Sequence, residues 1–143
     1  MKKFVLVGVV AVCVIIAALI ATRMLTPPPA ELDLARSKTS VNGTYLASIE
    51  PETEPVSVGP VHNWILTLAS ADSTPAAGAT IEVDGGMPDH GHGLPTEPQV
   101  SRELGDGRYL VEGVRFNMGG WWELTFQIES DVGSDSVTFN LML

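Results

Sequence analysis

The residues best suited to chemistry lie in the segment Met87-Pro-Asp-His-Gly-His-Gly93, which holds two of the chain's 3 histidines. In an extended backbone, His90 and His92 project from the same side about 6.6–6.8 Å apart, so both imidazoles can converge on one metal ion. Gly91 and Gly93 supply the backbone freedom that helps a loop wrap an ion. Met87 adds a thioether, a soft ligand that favours copper over magnesium or calcium. The pattern predicts a copper site.

Strand direction extends this prediction to a third histidine. Consecutive strands of an antiparallel sandwich alternate in direction, so the start of the His62 strand and the loop after Val83 should share one end. The strand through Tyr109 should finish there too. The predicted rim consists of His62, Met87, His90, His92, Met118 and Trp121. Its predicted metal ligands are His90, His92, Met87, His62 and Met118.

Each of these residues also has a plain structural interpretation. The glycine-rich segment can be a turn whose imidazoles bond to backbone or solvent. Met118 continues the apolar stripe of its strand and, on its own, is more typical of a core residue. His62 shares its phase with Trp64, which leaves a ligand and a capped rim residue equally open.

The elements that must position these residues are β-strands, because apolar residues recur with a period of two from Val41 onward. Seven alternating segments are separated by Gly, Pro, Asp and Ser turns, with a weak strand near Gln99–Glu103 and one strand running from Tyr109 to Met118. This spacing predicts an all-β fold, a single antiparallel immunoglobulin-like β-sandwich of about seven strands over residues 41–143. No segment in that range carries a helical stripe.

Single residues inside this pattern carry further expectations. Gly113 predicts a β-bulge. Trp122 shares its phase with the core residue Leu124, whereas Trp121 points the other way and should be partly exposed. Asp106-Gly-Arg-Tyr109 looks like a turn followed by a tyrosine corner, with Tyr109 bonding back to the backbone of that turn.

The first part of the chain predicts a membrane anchor followed by a spacer. Phe4 to Ala21 contains no charge or proline, and as a helix it would span about 27 Å, close to the thickness of a bilayer core. We predict one N-terminal transmembrane helix over 1–25, with the alternative of a signal peptide. Its flanking Lys2 and Lys3 favour an N-terminus inside and an extracytoplasmic domain. A Pro-rich linker follows over 26–40, beginning with Pro27-Pro-Pro29.

Charge and cysteine content exclude several classes of function. All 17 acidic residues lie after Met24, while three of the 8 basic residues, Lys2, Lys3 and Arg23, flank the apolar segment. Such an acidic exported domain repels phosphate backbones, so nucleic acid is not an expected partner. The single cysteine, Cys13, lies within the apolar segment, so no internal disulfide can form. No nucleophile–base arrangement is present in the pattern, and we do not expect an enzyme.

The domain resembles the YtkA-like/FixH-like family. The resemblance rests on Trp64-Ile-Leu-Thr-Leu, Gly86-Met-Pro-Asp-His-Gly-His-Gly, Gly107-Arg-Tyr and Phe116-Asn-Met-Gly-Gly-Trp-Trp, and it covers about 59–143. It implies a membrane-anchored domain in the periplasm or extracytoplasmic space, with a respiratory oxidase or a copper-trafficking protein as partner. Where the family pattern often has a second methionine, this chain has His90. An imidazole there makes the site harder, which admits Cu(I), Cu(II) or zinc.

The leading hypothesis from the sequence is a membrane-anchored copper-binding domain for copper handling or respiratory-complex assembly. The alternative is a structural or assembly module of a membrane complex, without metal, whose rim loop and Trp121 contact another protein. Recognition of a small organic ligand in the mouth of the sandwich has no sequence feature in its support.

Overall fold

A computed structural model describes residues 31–143 of the chain. The predicted anchor over 1–25, which contains Cys13, and residues 26–30 of the predicted linker lie outside the described residues. Among residues 31–143, no helix is long and apolar enough to cross a membrane.

The described part of the chain folds into two antiparallel sheets. Its strands are β1 (Ser37–Thr39), β2 (Tyr45–Pro51), β3 (Val61–Ser70), β4 (Thr80–Met87), β5 (His92–Gly93), β6 (Gln99–Gly105), β7 (Arg108–Arg115), β8 (Trp121–Ser130) and β9 (Gly133–Met142). The first sheet has the strand order β1-β2-β3-β7-β6, and the second has the order β5-β4-β8-β9. The predicted all-β sandwich is confirmed.

The core lies between the two sheets and follows from the period of two. Trp64, Leu66 and Leu68 face inward from β3, and Trp122 and Leu124 do so from β8. All of them are fully buried, and they belong to one hydrophobic cluster that draws on both sheets. Burying an apolar side chain of this size stabilises the fold by about 1.5–3 kcal/mol each, which explains why the alternation fixes the inward face of each strand.

Two short strands are additions to the predicted set. β1 pairs with β2 from Ser37 opposite Ser48, and it consists of residues that the sequence assigns to the linker. β5 pairs with the end of β4, with His92 opposite Met87. Strands this short bury too little apolar surface to leave a periodic signal, so alternation alone does not reveal them.

The predicted strand from Tyr109 to Met118 is wrong at its end. β7 stops at Arg115, and Met118 lies in the loop before β8. The predicted bulge at Gly113 is confirmed, because β3 and β7 change register there: His62 pairs with Val114, whereas Trp64 pairs with Val111. Gly113 adopts a φ of 90° at this point, which glycine tolerates best.

Tyr109 bonds to a different segment from the one predicted. Its hydroxyl donates to the carbonyl of Ala76 at 2.6 Å and accepts from the backbone N–H of Ala79 at 3.0 Å. Both partners lie in the β3–β4 loop, not in the Asp106-Gly107 turn. The prediction that Tyr109 bonds to its own turn is therefore wrong, and the buried hydroxyl instead ties the β3–β4 loop to β7.

The two ends of the sandwich follow from the register. At the near end, β3, β6 and β8 begin and β4 and β7 stop. At the far end, β9 begins and its Asp135 carboxylate is buried. That carboxylate accepts hydrogen bonds from the Ser40 hydroxyl, from the Asn42 backbone and side chain, and from the backbone N–H groups of Thr44 and Ser136. This cluster fastens the loop before β2 onto β9.

Candidate metal site at the near end

The His90–His92 segment is a tight turn between β4 and β5. The Met87 carbonyl accepts from the N–H groups of His90, at 3.1 Å, and Gly91, at 2.9 Å. Gly91 has a φ of 64°, in the left-handed region that glycine enters at little cost. The prediction of an extended His-x-His backbone is therefore wrong, because hydrogen bonds to one carbonyl curl this segment.

Glycines in β4 allow the returning chain to lie close to it. A Cβ added to Gly85 would stand 2.4 Å from the Glu123 carbonyl oxygen and 3.0 Å from the Leu94 side chain. A Cβ added to Gly86 would stand 2.4 Å from the His92 carbonyl oxygen. Both 2.4 Å distances are shorter than real contacts, so Gly86 is required for placing His92 against β4, and Gly85 is required for the approach of Glu123 and Leu94.

The turn brings the two imidazoles together. The ring centroids of His90 and His92 lie 6.0 Å apart, with their planes inclined by 34°. When two imidazoles bind one ion with metal–nitrogen distances of about 2.0 Å, their ring centroids lie about 5 Å apart if the nitrogen–metal–nitrogen angle is tetrahedral. The centroids lie about 6 Å apart if that angle is wider. The observed separation fits two ligands of one ion. His90 is exposed and His92 is half-buried, so an ion can reach both from solvent.

His92 is held in a defined orientation. Its Nδ1 lies 2.9 Å from the Gly93 carbonyl oxygen, and because a carbonyl only accepts, Nδ1 carries the proton. Its ring also packs against Trp122 in an edge-on arrangement at a centroid distance of 5.7 Å. An Nδ1–H bond to a backbone carbonyl leaves Nε2 as the ligating atom, which is the usual way of orienting a metal-binding histidine.

Met87 faces the core. The residue is 2% exposed and belongs to the hydrophobic cluster. Its methyl carbon Cε would be 2.9 Å from a Cβ added to Gly120, so the side chain fills the space that this glycine leaves open. In this position the thioether lies beneath the histidine turn as packing, and an ion from solvent would reach it only if the core opened.

His62 lies at the same end but is bonded elsewhere. Its Nε2 is 2.8 Å from the Ser57 carbonyl oxygen, to which it donates. Its ring lies 6.3 Å from that of Phe116, and Phe116 in turn lies 5.3 Å from Trp122. Two aromatic rings therefore separate His62 from His92. This is the arrangement of a capped rim residue, one of the two interpretations that the sequence leaves open.

Met118 and Trp121 occupy the β7–β8 connection. Met118 is 38% exposed, so the interpretation of this methionine as a core residue is wrong. The Trp122 indole donates to the Met118 carbonyl at 3.0 Å, which ties the Met118 loop to the ring that packs on His92. Trp122 is buried and Trp121 is half-buried, as their phases predict. Trp121 donates to the Asn140 side chain at 3.0 Å.

The comparison with known families decides the classification. A family model described as YtkA-like matches residues 40–127, more than half of the chain. The chain belongs to the YtkA-like family. The match includes the histidine turn and the Met118 loop. No curated protein and no solved structure matches the chain.

In this YtkA-like domain, the turn also closes one side of an acidic groove on the outer face of the second sheet. The groove has a volume of about 660 Å³, and its walls include Glu82, Asp84, Glu123 and His92. The alternation of side chains along β4 and β8 places these three carboxylates on the face opposite the core. Within residues 31–143, no three His, Cys, Asp or Glu side chains form a group that could hold a metal ion.

Proposed function

We propose that the domain binds a copper ion through the imidazoles of His90 and His92. The observation that carries the proposal is their centroid separation of 6.0 Å on a solvent-facing turn. The Nδ1 hydrogen bond of His92 supports it by leaving Nε2 free to ligate. Imidazole is a ligand for copper and zinc alike, so zinc is the metal that competes for the same pair.

Further ligands in this proposal come from outside the histidine turn. Met118 is the methionine better placed for the role, because it is 38% exposed on a loop tied to Trp122, whereas Met87 is 2% exposed. A site with two imidazoles and open positions favours exchange of the metal over permanent storage, since incoming ligands can bind before the imidazoles leave. The proposed role is copper handling, in which the domain receives and passes on the ion.

We further propose that the domain is held outside the cytoplasmic membrane by the apolar segment Phe4–Ala21. The support is the sequence alone: an uncharged stretch of bilayer length preceded by Lys2 and Lys3. A respiratory oxidase or a copper-trafficking protein in the same membrane is the proposed partner. This is a binding role, and we propose no catalysis.

Competition with a copper chelator tests the proposal on the full-length chain. The variant His90→Ala/His92→Ala removes both imidazoles from an exposed turn. We expect copper affinity to fall by at least about a hundredfold, because removing a metal ligand costs more affinity than removing a residue that only hydrogen-bonds to a ligand. His62→Gln is the matched control and should bind as wild type does, since His62 is bonded to Ser57. Equal affinity of the double variant and wild type would refute the proposal.

The second candidate function is a metal-free assembly module, which one surface feature favours. Trp121 pairs across β8 and β9 with Met142, which is 49% exposed, so a half-buried indole and a thioether stand side by side on the outer face. If this surface carries the function, Trp121→Ala abolishes co-purification of a membrane partner, and the histidine variant leaves it intact. If His90→Ala/His92→Ala loses copper binding but keeps partner binding, the copper function and the assembly function belong to different surfaces.

A further inference from the structure

The described chain enters the domain at its near end. β2 runs toward that end, because its last residue, Pro51, pairs with Trp64 close to the start of β3. β1 is antiparallel to β2, so the residues before Ser37 lead back to the near end. There the carbonyl of Asp33 accepts from the Asn140 side chain at 2.9 Å, close to the end of β9. The domain is therefore attached to the preceding chain at the same end as the histidine turn.

The length of the preceding chain favours the near end as the one that faces the membrane. Nine residues, 22–30, separate the proposed anchor from the described domain. A residue spans at most about 3.3–3.6 Å, so nine residues span at most roughly 30 Å. The 10 residues of β8 alone span about 33 Å along the domain. The far end could meet the bilayer only if this chain ran back along the whole domain, whereas the near end meets it directly.

Two loops in the middle of the near end present exposed apolar side chains to solvent. The loops touch each other, because the backbone N–H of Gly59 donates to the carbonyl of Phe116 at 2.8 Å. Neither 58–61 nor 116–118 contains a charged residue. We call three exposed side chains of these segments the apolar rim: Val58, Val61 and Met118.

The turns at the far end carry negative charge instead. Exposed aspartates occupy three of them, Asp72 after β3, Asp106 between β6 and β7, and Asp131 between β8 and β9. Val41 and Val132 are exposed there too, but Val132 directly follows Asp131. Because anionic lipids give a membrane a negative surface potential, carboxylates in these positions are repelled from it. The far end is therefore the less favourable of the two ends for contact with lipid.

The apolar rim needs only a weak affinity for lipid if the domain is tethered to the bilayer. Three exposed apolar side chains are too few to hold a free protein on a membrane. A short tether raises the effective concentration of the domain at the surface, so a contact too weak for a free protein suffices. Glu54, which precedes Val58 in the same loop, pairs with Arg36, and this ion pair reduces the negative charge beside the rim.

We propose that the near end rests on the outer surface of the membrane, with the apolar rim in contact with lipid. This orientation rests on the anchor in the proposed function and is independent of copper binding. Trp122 packs on His92 and donates to the Met118 carbonyl, so the histidine turn lies next to the rim. The proposed metal site then faces partners embedded in the same membrane rather than soluble carriers.

Fluorescence quenching from the lipid surface tests the orientation in full-length protein reconstituted into vesicles of phosphatidylethanolamine and phosphatidylglycerol. In a Cys13→Ser background, one fluorophore is attached through Asn117→Cys at the near end or through Val132→Cys at the far end, both exposed positions. Part of the lipid carries a nitroxide on its headgroup, which quenches nearby fluorophores. We expect at least about threefold stronger quenching at position 117, because the length of the domain, about 33 Å, separates the two labels.

Vesicle flotation separates failure of the anchor from failure of the orientation. A full-length protein that does not float with the vesicles lacks the anchor, and both proposals then fail. A protein that floats with them but shows equal quenching at the two positions, or stronger quenching at 132, keeps the anchor and overturns the orientation alone.

Two variants distinguish lipid contact from tethering. Val58→Glu/Val61→Glu puts two carboxylates into the apolar rim, and we expect quenching at position 117 to fall to nearly the level at 132. Val41→Glu/Val132→Glu is the matched control at the far end and should leave quenching at 117 unchanged. Val58→Ser/Val61→Ser, which adds no charge, should give an intermediate loss. Copper affinity should stay the same in all three variants, and undiminished quenching in both rim variants would overturn the lipid contact.

Discussion

The two ends of the sandwich use their polar side chains in opposite ways. At the far end, the buried Asp135 carboxylate accepts from Ser40, Asn42, Thr44 and Ser136, so its hydrogen-bonding capacity is filled by the protein. At the near end, His90 is exposed and His92 uses Nδ1 in a bond to the Gly93 carbonyl. A polar cluster whose bonds are all internal serves the fold, whereas a pair of imidazoles on an exposed turn is available for binding.

The far end should therefore carry the largest stability effect. In the variant Asp135→Ala, the buried hydroxyl of Ser40 and the partly buried backbone N–H groups of Asn42 and Thr44 lose their acceptor, and each lost bond to a charged group costs on the order of 1.5–3 kcal/mol. We expect the free energy of unfolding to fall by about 3 kcal/mol or more, measured by urea denaturation. Copper affinity should not change. A loss below about 1 kcal/mol would show that this cluster does not hold the far end together.

Acid should weaken the far end specifically. Burial by itself would raise the pKa of Asp135, but hydrogen bonds from Ser40 and from the backbone of Ser136, Asn42 and Thr44 hold its pKa well below the usual range. A carboxyl whose pKa is lower in the folded state stabilises the fold above its unfolded pKa of about 3.9 and loses that contribution as the pH falls further. Unfolding curves of wild type should show this loss below about pH 4, and Asp135→Asn should lack most of it.

At the near end, a side chain added to β4 beneath the histidine turn should lower the free energy of unfolding more than one added at the tip of the turn. Gly85→Ala places a Cβ 2.4 Å from the Glu123 carbonyl, and overpacking of this kind costs about 1–3 kcal/mol. Gly91→Ala meets no atom within 4 Å but retains a φ of 64°, which costs about 1 kcal/mol for a residue with a side chain. Equal losses of unfolding free energy in the two variants would contradict the close approach of the Glu123 carbonyl of β8 to Gly85.

The two methionines should separate stability from binding. Met87→Leu changes a side chain that is 2% exposed, and a swap of similar volume costs less than about 1.5 kcal/mol. Met118→Leu changes one that is 38% exposed, with an effect on stability within about 0.5 kcal/mol. We expect copper affinity, measured by chelator competition, to fall in Met118→Leu and to stay unchanged in Met87→Leu. The reverse result would place Met87 in the site.

The sequence predicts the sandwich well because alternation reports burial directly. Trp121 and Trp122 fall on the expected faces, and Gly113 marks a real change of register. The site is less predictable. Met87 faces the core because its side chain fills the space that Gly120 leaves open. His62 is bonded because the Ser57 carbonyl lies within reach of its ring. The contact of Met87 with Gly120 joins distant segments, and the bond of His62 to Ser57 depends on the conformation of the loop before β3, so periodicity along one strand predicts neither.

We propose that the near end presents two imidazoles to one copper ion. X-ray absorption spectroscopy of the copper-loaded full-length protein tests it most directly, because scattering from imidazole rings counts histidine ligands and gives their metal–nitrogen distance. We predict two imidazoles at about 2.0 Å in wild type and in His62→Gln, and no imidazole on any residual copper in His90→Ala/His92→Ala. Copper that carries no imidazole in wild type, or the same two imidazoles in the double variant, would contradict the account.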